Sequence, residues 1–288
     1  RNAVSYAASG TLLFEKNNIS KNAKNTLLAF VPTYENVSSG NLNEGSETRD
    51  YLDSLKPLKG GLDEVSTINS IIDGDVYKGS NATIKNFKAN ASGHGILHLA
   101  MHTMIDDENP MYSKLAFEQG DGDNGLLNAY ELYNMQINSQ LSVLSSCKTG
   151  AGKLVKGEGM LCLARGFMYA GCPSLVMTLW EINDQSGAEM MKGFYSYLSD
   201  GKPKDEALRL AKLDYLNSSD KIRTNPYYWA GYINFGNHNA LQIQANTINK
   251  VYVFIGGISA LLFISFFFLP VRRNIGQKFL HRRKAGTT

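Results

Sequence analysis

The stretch Leu141-Ser-Val-Leu-Ser-Ser-Cys147-Lys-Thr-Gly150 decides the fold. Its apolar residues, Leu141, Val143 and Leu144, give way to two serines, a cysteine and a turn signal. That pattern predicts a buried strand presenting Cys147 at its C-terminal tip. A second run, Gly95-Ile-Leu-His98-Leu-Ala-Met-His102, ends the same way in a histidine. Two such strands side by side would set a cysteine and a histidine beyond the carboxyl ends of a parallel sheet. Open α/β sheets place their chemistry there.

Working outward, further strands are expected from residue 4, over 26–31 before Pro32, and over 75–77, 173–180 and 229–235. Between them, helical spacing of Leu62, Val65, Ile68, Ile71 and Ile72 predicts a helix over 61–73. A capped turn at 79–83 leads into a helix through Ile84 and Phe87. Leu126, Leu127, Ala129, Tyr130 and Leu132 suggest another helix. The run 157–170, closed by Gly171, reads as a helix with a face of small residues. Asp184 is the expected cap of a helix carrying Met190, Phe194, Tyr195 and Leu198. Gly201 ends it, and Pro203 opens the next. Residues 35–53 and 103–124 are polar and read as loops; the second carries Asp106, Asp107, Glu108, Asp121 and Asp123. The alternation predicts an α/β domain over residues 1–236, a mostly parallel sheet with helices on both faces.

The chain has 288 residues, 43% hydrophobic and 19% charged, which is ordinary globular material. Its formal charge of +3 comes from the end of the chain. Beyond Pro270 stand Arg272, Arg273, Lys278, Arg282, Arg283 and Lys284 and no acid. Removing those six from 29 leaves 23 basic residues against 26 acidic, a net of −3. A basic nucleic-acid-binding surface is therefore not expected. The three cysteines, Cys147, Cys162 and Cys172, lack CxxC spacing, which argues against a zinc ribbon or a disulfide framework.

After a polar linker at 237–250, residues 251–269 carry no charge. At ~1.5 Å per residue the run would extend roughly 28 Å, about a bilayer core. A transmembrane helix over 251–270 in the lipid bilayer is expected, followed by a short basic tail over 271–288. The basic residues after the run favour a cytoplasmic tail and a periplasmic domain in a bacterium. A tail-anchored protein with a cytoplasmic domain is the alternative.

A thiol attacks a carbonyl as thiolate, so Cys147 needs a base, and His102 is the candidate. His98 points to the same side of a strand, but only His102 reaches the tip. On spacing alone, a cysteine serving as a small core hydrophobe and a structural histidine remain the simpler reading. His94, His98 and His102 would share a helix face at a spacing of four. The setting reads as strand, however, and HExxH is absent because Leu99 follows His98. No metal and no cofactor are expected.

Several pieces in order resemble the CHAT domain, a caspase-like module found behind tetratricopeptide repeats. They include Ser5-Tyr-Ala-Ala-Ser9, Gly61-Leu-Asp-Glu64 and Leu97-His-Leu-Ala-Met-His102. Gly125-Leu-Leu-Asn-Ala-Tyr-Glu-Leu132 and Leu144-Ser-Ser-Cys-Lys-Thr-Gly150 follow. Glu158-Gly159 to Ala170-Gly171, Leu179-Trp180 to Asp184, Phe194-Tyr195 to Gly201 and Ala207 to Ala211 continue in register. The resemblance implies a caspase-like fold and a cysteine peptidase of the caspase–separase type acting on a protein or peptide partner. It implies Cys147 as nucleophile, His102 as base, and the backbone N–H groups of Cys147 and Thr103 as the oxyanion hole. It also implies tetratricopeptide repeats upstream of Arg1. Asp184, or an acid within 106–123, is a candidate for recognising a basic substrate side chain. Two positions depart from the pattern: Thr103 stands where the family usually has Gly, and Asn124 where it has Asp. They motivate the alternative of a catalytically silent CHAT-type interaction module.

Overall fold

The computed structural model describes residues 2–7, 24–35, 46–120, 122–145, 158–180 and 182–241. All fall within one compact unit, Arg1–Ala245. The main sheet contains β1 (Ser5–Tyr6), β2 (Lys24–Val31), β3 (Gly74–Lys78), β4 (His94–Leu99), β8 (Leu141–Leu144), β9 (Ser174–Thr178) and β10 (Tyr232–Gly236). Their order is β1-β10-β9-β8-β4-β2-β3. From β9 to β3 every neighbouring pair is parallel, while β10 runs antiparallel to β9.

Successive strand residues point to opposite faces, so a strand covered on both sides must be apolar throughout. β4, β8, β9 and β10 are buried at every position. One face, with Phe30, Leu97, Leu99, Leu144 and Met177, packs on α3 (Ile84–Asn90), α4 (Ala129–Leu132) and α5 (Glu158–Tyr169). The other, with Ala29, Ile96, Val143 and Val176, packs on α2 (Gly61–Ile71), α6 (Asp184–Ser199) and α7 (Lys204–Ser218). The expected mixed α/β layering with a mostly parallel sheet is therefore present.

Local chemistry explains several boundaries. Thr83 caps α3 by accepting the N–H of Asn86 at 3.3 Å. After α5 the chain turns at Gly171, whose φ of +105° suits a residue without a Cβ. The cap of α6 is Asn183, not Asp184: Asn183 Oδ1 accepts the N–H of Ser186 at 3.3 Å, and Asp184 is the first helical residue.

Four sequence expectations change. Residues 103–124 are not simply a loop: β5 (Thr103–Met104) and β6 (Lys114–Ala116) join β7 (Leu126–Asn128) in a small antiparallel sheet. Leu126 and Leu127 thus belong to a strand. The helix starts only at Ala129, where Asn128 and Glu131 form a capping box. Part of the 35–53 loop is helix α1 (Ser46–Ser54), which buries Tyr51 and Leu52 beside Tyr34. The last strand begins at Tyr232, not at Trp229.

The membrane placement is also corrected. Among the described residues, no helix is long and apolar enough to cross a membrane. The longest, α6, has 16 residues and would span roughly 24 Å, short of a bilayer core of about 30 Å. This overturns the single-pass arrangement. The run 251–270 on which that arrangement rested lies outside the described residues.

Candidate functional site

His102 lies just past the end of β4, which stops at Leu99, and is 8% exposed. Its backbone N–H donates to the hydroxyl of Tyr34 at 3.0 Å, and that hydroxyl donates to the carbonyl of Ala116 at 2.8 Å. The carbonyl of His102 in turn accepts the N–H of Ala116 at 3.0 Å. Tyr34 therefore bridges the chain at His102 to the small sheet. Burial holds its phenol well above the ordinary tyrosine range, so the hydroxyl keeps its proton and its donor role. The two rings lie 5.3 Å apart, tilted by 36°.

Tyr34 adopts a φ of 58°, the only positive φ at a non-glycine position among the described residues. A side chain there strains the backbone. The buried carboxylate of Glu118 holds it in place, its Oε2 accepting the N–H groups of Thr33 at 3.1 Å and Tyr34 at 2.7 Å. Neither Tyr34 nor Glu118 stands out in the sequence; their signals are a tyrosine two residues past Pro32 and an acid directly after the apolar triplet Leu115, Ala116 and Phe117.

The ring of His102 is oriented by the main chain, its Nε2 lying 2.8 Å from the carbonyl oxygen of Lys56. A carbonyl only accepts, so Nε2 carries the proton and, in the neutral ring, Nδ1 carries the basic lone pair. His102 borders a cleft of about 480 Å³. One wall is Ser54, Lys56, Pro57, Leu58 and Lys59; the other is Ile182 and Asn183 with Tyr227 and Tyr228. Trp180 pins the aromatic part, its Nε1 donating to the carbonyl of Tyr227 at 2.8 Å.

β8 runs beside β4 with Leu99 opposite Leu144, and the N–H of Ser145 donates to the carbonyl of Leu99 at 3.1 Å. Cys147, two residues further, lies outside the described residues, as does the side chain of Asp184. Thr103 is buried, in register with Leu115, and its φ is not positive, so its backbone does not require the glycine usual after the histidine. Asn124 accepts the N–H of Leu126 at 2.9 Å through Oδ1, a role its side-chain oxygen fills without a charge.

Acids of the 106–123 segment serve the backbone. Asp106 Oδ1 accepts from the N–H groups of Glu108 and Asn109, and Asp123 Oδ1 from Gly125. Asp107 Oδ1 accepts the N–H of Gly159 at 3.0 Å, in the first turn of α5. None of the three lines the cleft. Cys162 and Cys172 are buried free thiols, and burial pushes the thiol of Cys172 up.

The family description "CHAT domain" matches residues 1–237. Tetratricopeptide repeat protein 28 of Mus musculus is 28% identical over 125 residues, covering 43% of this chain and 5% of that protein. Its Homo sapiens counterpart is 24% identical over 227 residues, covering 67% of this chain and 9% of that protein. The chain thus spans less than a tenth of these relatives. Among solved structures, the Arg-specific cysteine proteinase gingipain R aligns at a TM-score of 0.46 and 10% identity, over 76% of this chain and 47% of that one. A complex of Porphyromonas gingivalis RgpB pro- and mature domains aligns at 0.46 and 12%, over 80% and 53%.

Proposed function

The chain belongs to the CHAT domain family, and from that premise we propose that it is a cysteine endopeptidase acting on a protein partner through a Cys147–His102 dyad. The observation that carries the reading is the His102 ring. It is held by the Lys56 carbonyl at 2.8 Å at the edge of a cleft, with Nδ1 left as the basic nitrogen. Ser145, two residues before Cys147 in the sequence, is bonded to the end of β4 through its N–H, which supports pairing the cysteine with His102.

In this mechanism Nδ1 takes the thiol proton, and the thiolate sulfur bonds to the substrate carbonyl carbon. The carbonyl π pair moves onto oxygen, where the N–H groups of Cys147 and Thr103 stabilise it. As the carbonyl reforms, the C–N bond breaks and the imidazolium gives its proton to the leaving amine. Water, deprotonated by the same nitrogen, then attacks the thioester, and the thiolate leaves with the proton returned. The acyl portion departs as an acid. The described cleft lining holds two lysines and no carboxylate, which suits an acidic substrate side chain better than a basic one. Asp184 remains a candidate lining residue, because its neighbour Asn183 borders the cleft. Tetratricopeptide repeats preceding this domain, as in the relatives' names, would present the partner.

The test is thiol labelling of the full chain with peptidyl cysteine electrophiles bearing Asp, Asn, Lys or Arg, mapped by mass spectrometry. Cys147 should label alone, since Cys162 and Cys172 are buried, and the rate should fall at least tenfold in His102→Ala. Labelling indifferent to His102 would sink the dyad and leave the silent interaction module.

A further inference from the structure

Four residues before His102, strand β4 carries a second histidine that the mechanism does not use. His98 is 0% exposed. Its Nδ1 lies 2.9 Å from the hydroxyl of Tyr195, itself fully buried. Its Nε2 lies 3.0 Å from Oε1 of Glu64, which is 7% exposed. The Tyr195 hydroxyl is hydrogen-bonded to Nδ1, whereas Nε2 and the Glu64 oxygen are close without the alignment of a hydrogen bond. Burial, with Glu64 nearby, holds the phenol of Tyr195 well above its ordinary range, so it stays a donor.

The row joins three elements. His98 is in β4, Glu64 in the first turn of α2 and Tyr195 in α6. What precedes α2 and α6 forms the two walls of the cleft. Residues 56–60 lead into α2, and among them Lys56 supplies the carbonyl that fixes the His102 ring. Ile182 and Asn183 lead into α6. The distance between the walls thus depends on how α2 and α6 seat on β4, and the polar row allows one seating. Apolar contacts such as Val65 and Phe194 would tolerate small slides; the directional Tyr195–His98 hydrogen bond, with Glu64 at 3.0 Å on the other side of the ring, tolerates less.

We infer that Glu64, His98 and Tyr195 are positioning residues that hold the two cleft walls in register and thereby maintain the His102 Nε2–Lys56 carbonyl hydrogen bond. The inference rests on His102 being the base, but its main readout does not require catalysis.

The experiment uses the full chain labelled with ¹⁵N-histidine. The imidazole signals of His102 are identified by their loss in His102→Gln. Wild type, Glu64→Gln and Tyr195→Phe are compared for three quantities: exchange of the His102 Nε2 proton with water, thermal midpoint and Cys147 labelling rate. The expected result is at least tenfold faster exchange in both variants, with labelling slowed about tenfold. A lower midpoint with exchange within twofold of wild type would overturn the inference, because the row would then contribute stability alone. Should Glu64→Gln fail to fold, Tyr195→Phe decides, since it removes one oxygen and keeps the ring. Wild-type labelling that ignores His102, together with faster exchange in the variants, would reject the peptidase reading and keep the positioning role.

Discussion

The hydroxyl of Tyr34 accepts the backbone N–H of His102 at 3.0 Å, and so takes the place of a strand partner where β4 has already ended. It passes the connection on to the carbonyl of Ala116 at 2.8 Å. Replacing Tyr34 with Phe leaves the ring and removes both bonds. A buried donor or acceptor left unmet costs about 1–3 kcal/mol. Urea denaturation of Tyr34→Phe should show a loss of that size with an unchanged m-value. Labelling of Cys147 should slow as well, because the backbone carrying His102 loses its tether. A midpoint equal to wild type would mean that His102 and Ala116 close the gap directly.

Much of this architecture is legible in the chain because its strands are apolar on both faces. Leu141–Leu144 and His94–Leu99 stand out for that reason. Helix ends at Thr83, Gly171 and Gly201 follow local rules of capping and φ. The tethers of His102 are another matter. Tyr34, Lys56 and Glu118 come from segments far apart in sequence, and nothing local marks them as neighbours. Residues 46–54 look like loop because Tyr51 and Leu52 stand among polar residues. Their burial makes sense only once Tyr34 and Leu126 lie beside them. Leu126 and Leu127 suit helical spacing, but the strand Lys114–Ala116 is there to pair with them. Long-range pairing outweighs local period at each of these places.

Lys204, at the start of α7, is 2% exposed, and burial lowers its pKa to about 8, against the smaller opposing effects of Cys172 and Asp205. In the unfolded chain a lysine titrates near 10.4. Below about pH 8 both states hold the proton, and the folded state bears the full cost of a buried ammonium. Between about 8 and 10.4 the unfolded chain binds more protons, so stability rises with pH. Lys204→Met should therefore stabilise the protein at pH 7, by at most about 3 kcal/mol. That gain should shrink towards zero near pH 10.5. Urea midpoints of the two proteins at pH 7, 9 and 10.5 check this; a gain that does not change with pH would rule out the ammonium as its cause.

Gly159 sits in the first turn of α5, just after the segment that carries Cys147. A Cβ there would lie 2.5 Å from Ser113 Oγ, 2.6 Å from Ile105 Cγ2 and 3.1 Å from the Asp106 carbonyl oxygen. Gly to Ala within a helix ordinarily stabilises by roughly 1 kcal/mol. Here overpacking, about 1–3 kcal/mol, has the opposite sign and prevails. Gly159→Ala should lower the thermal midpoint. It should also weaken the Asp107 bond to the residue-159 N–H, which joins the segment after His102 to the helix after Cys147. Gly166, against Leu132 Cβ at 3.0 Å, is a milder control within the same helix. Equal effects at the two glycines would point to helix packing in general.

Lys56 and Lys59 are the charged side chains in the described lining of the cleft beside His102. Both are exposed, so each ion pair with a substrate carboxylate contributes only about 0.2–1 kcal/mol. That converts to a preference of roughly 1.4- to fivefold per lysine. An Asp-bearing electrophile should accordingly label Cys147 several-fold faster than its Asn counterpart, and faster still than the Arg version. Reversing the charge in Lys59→Glu leaves the Lys56 carbonyl and the His102 ring untouched. The order of Asp and Arg should then narrow or invert, while the Asn rate stays near wild type. The preference should also fade as salt rises from 50 to 500 mM, since exposed charges are screened. A wild-type preference for Arg would assign the dominant charge to carboxylates outside the described lining and return Asp184 to the first place among them.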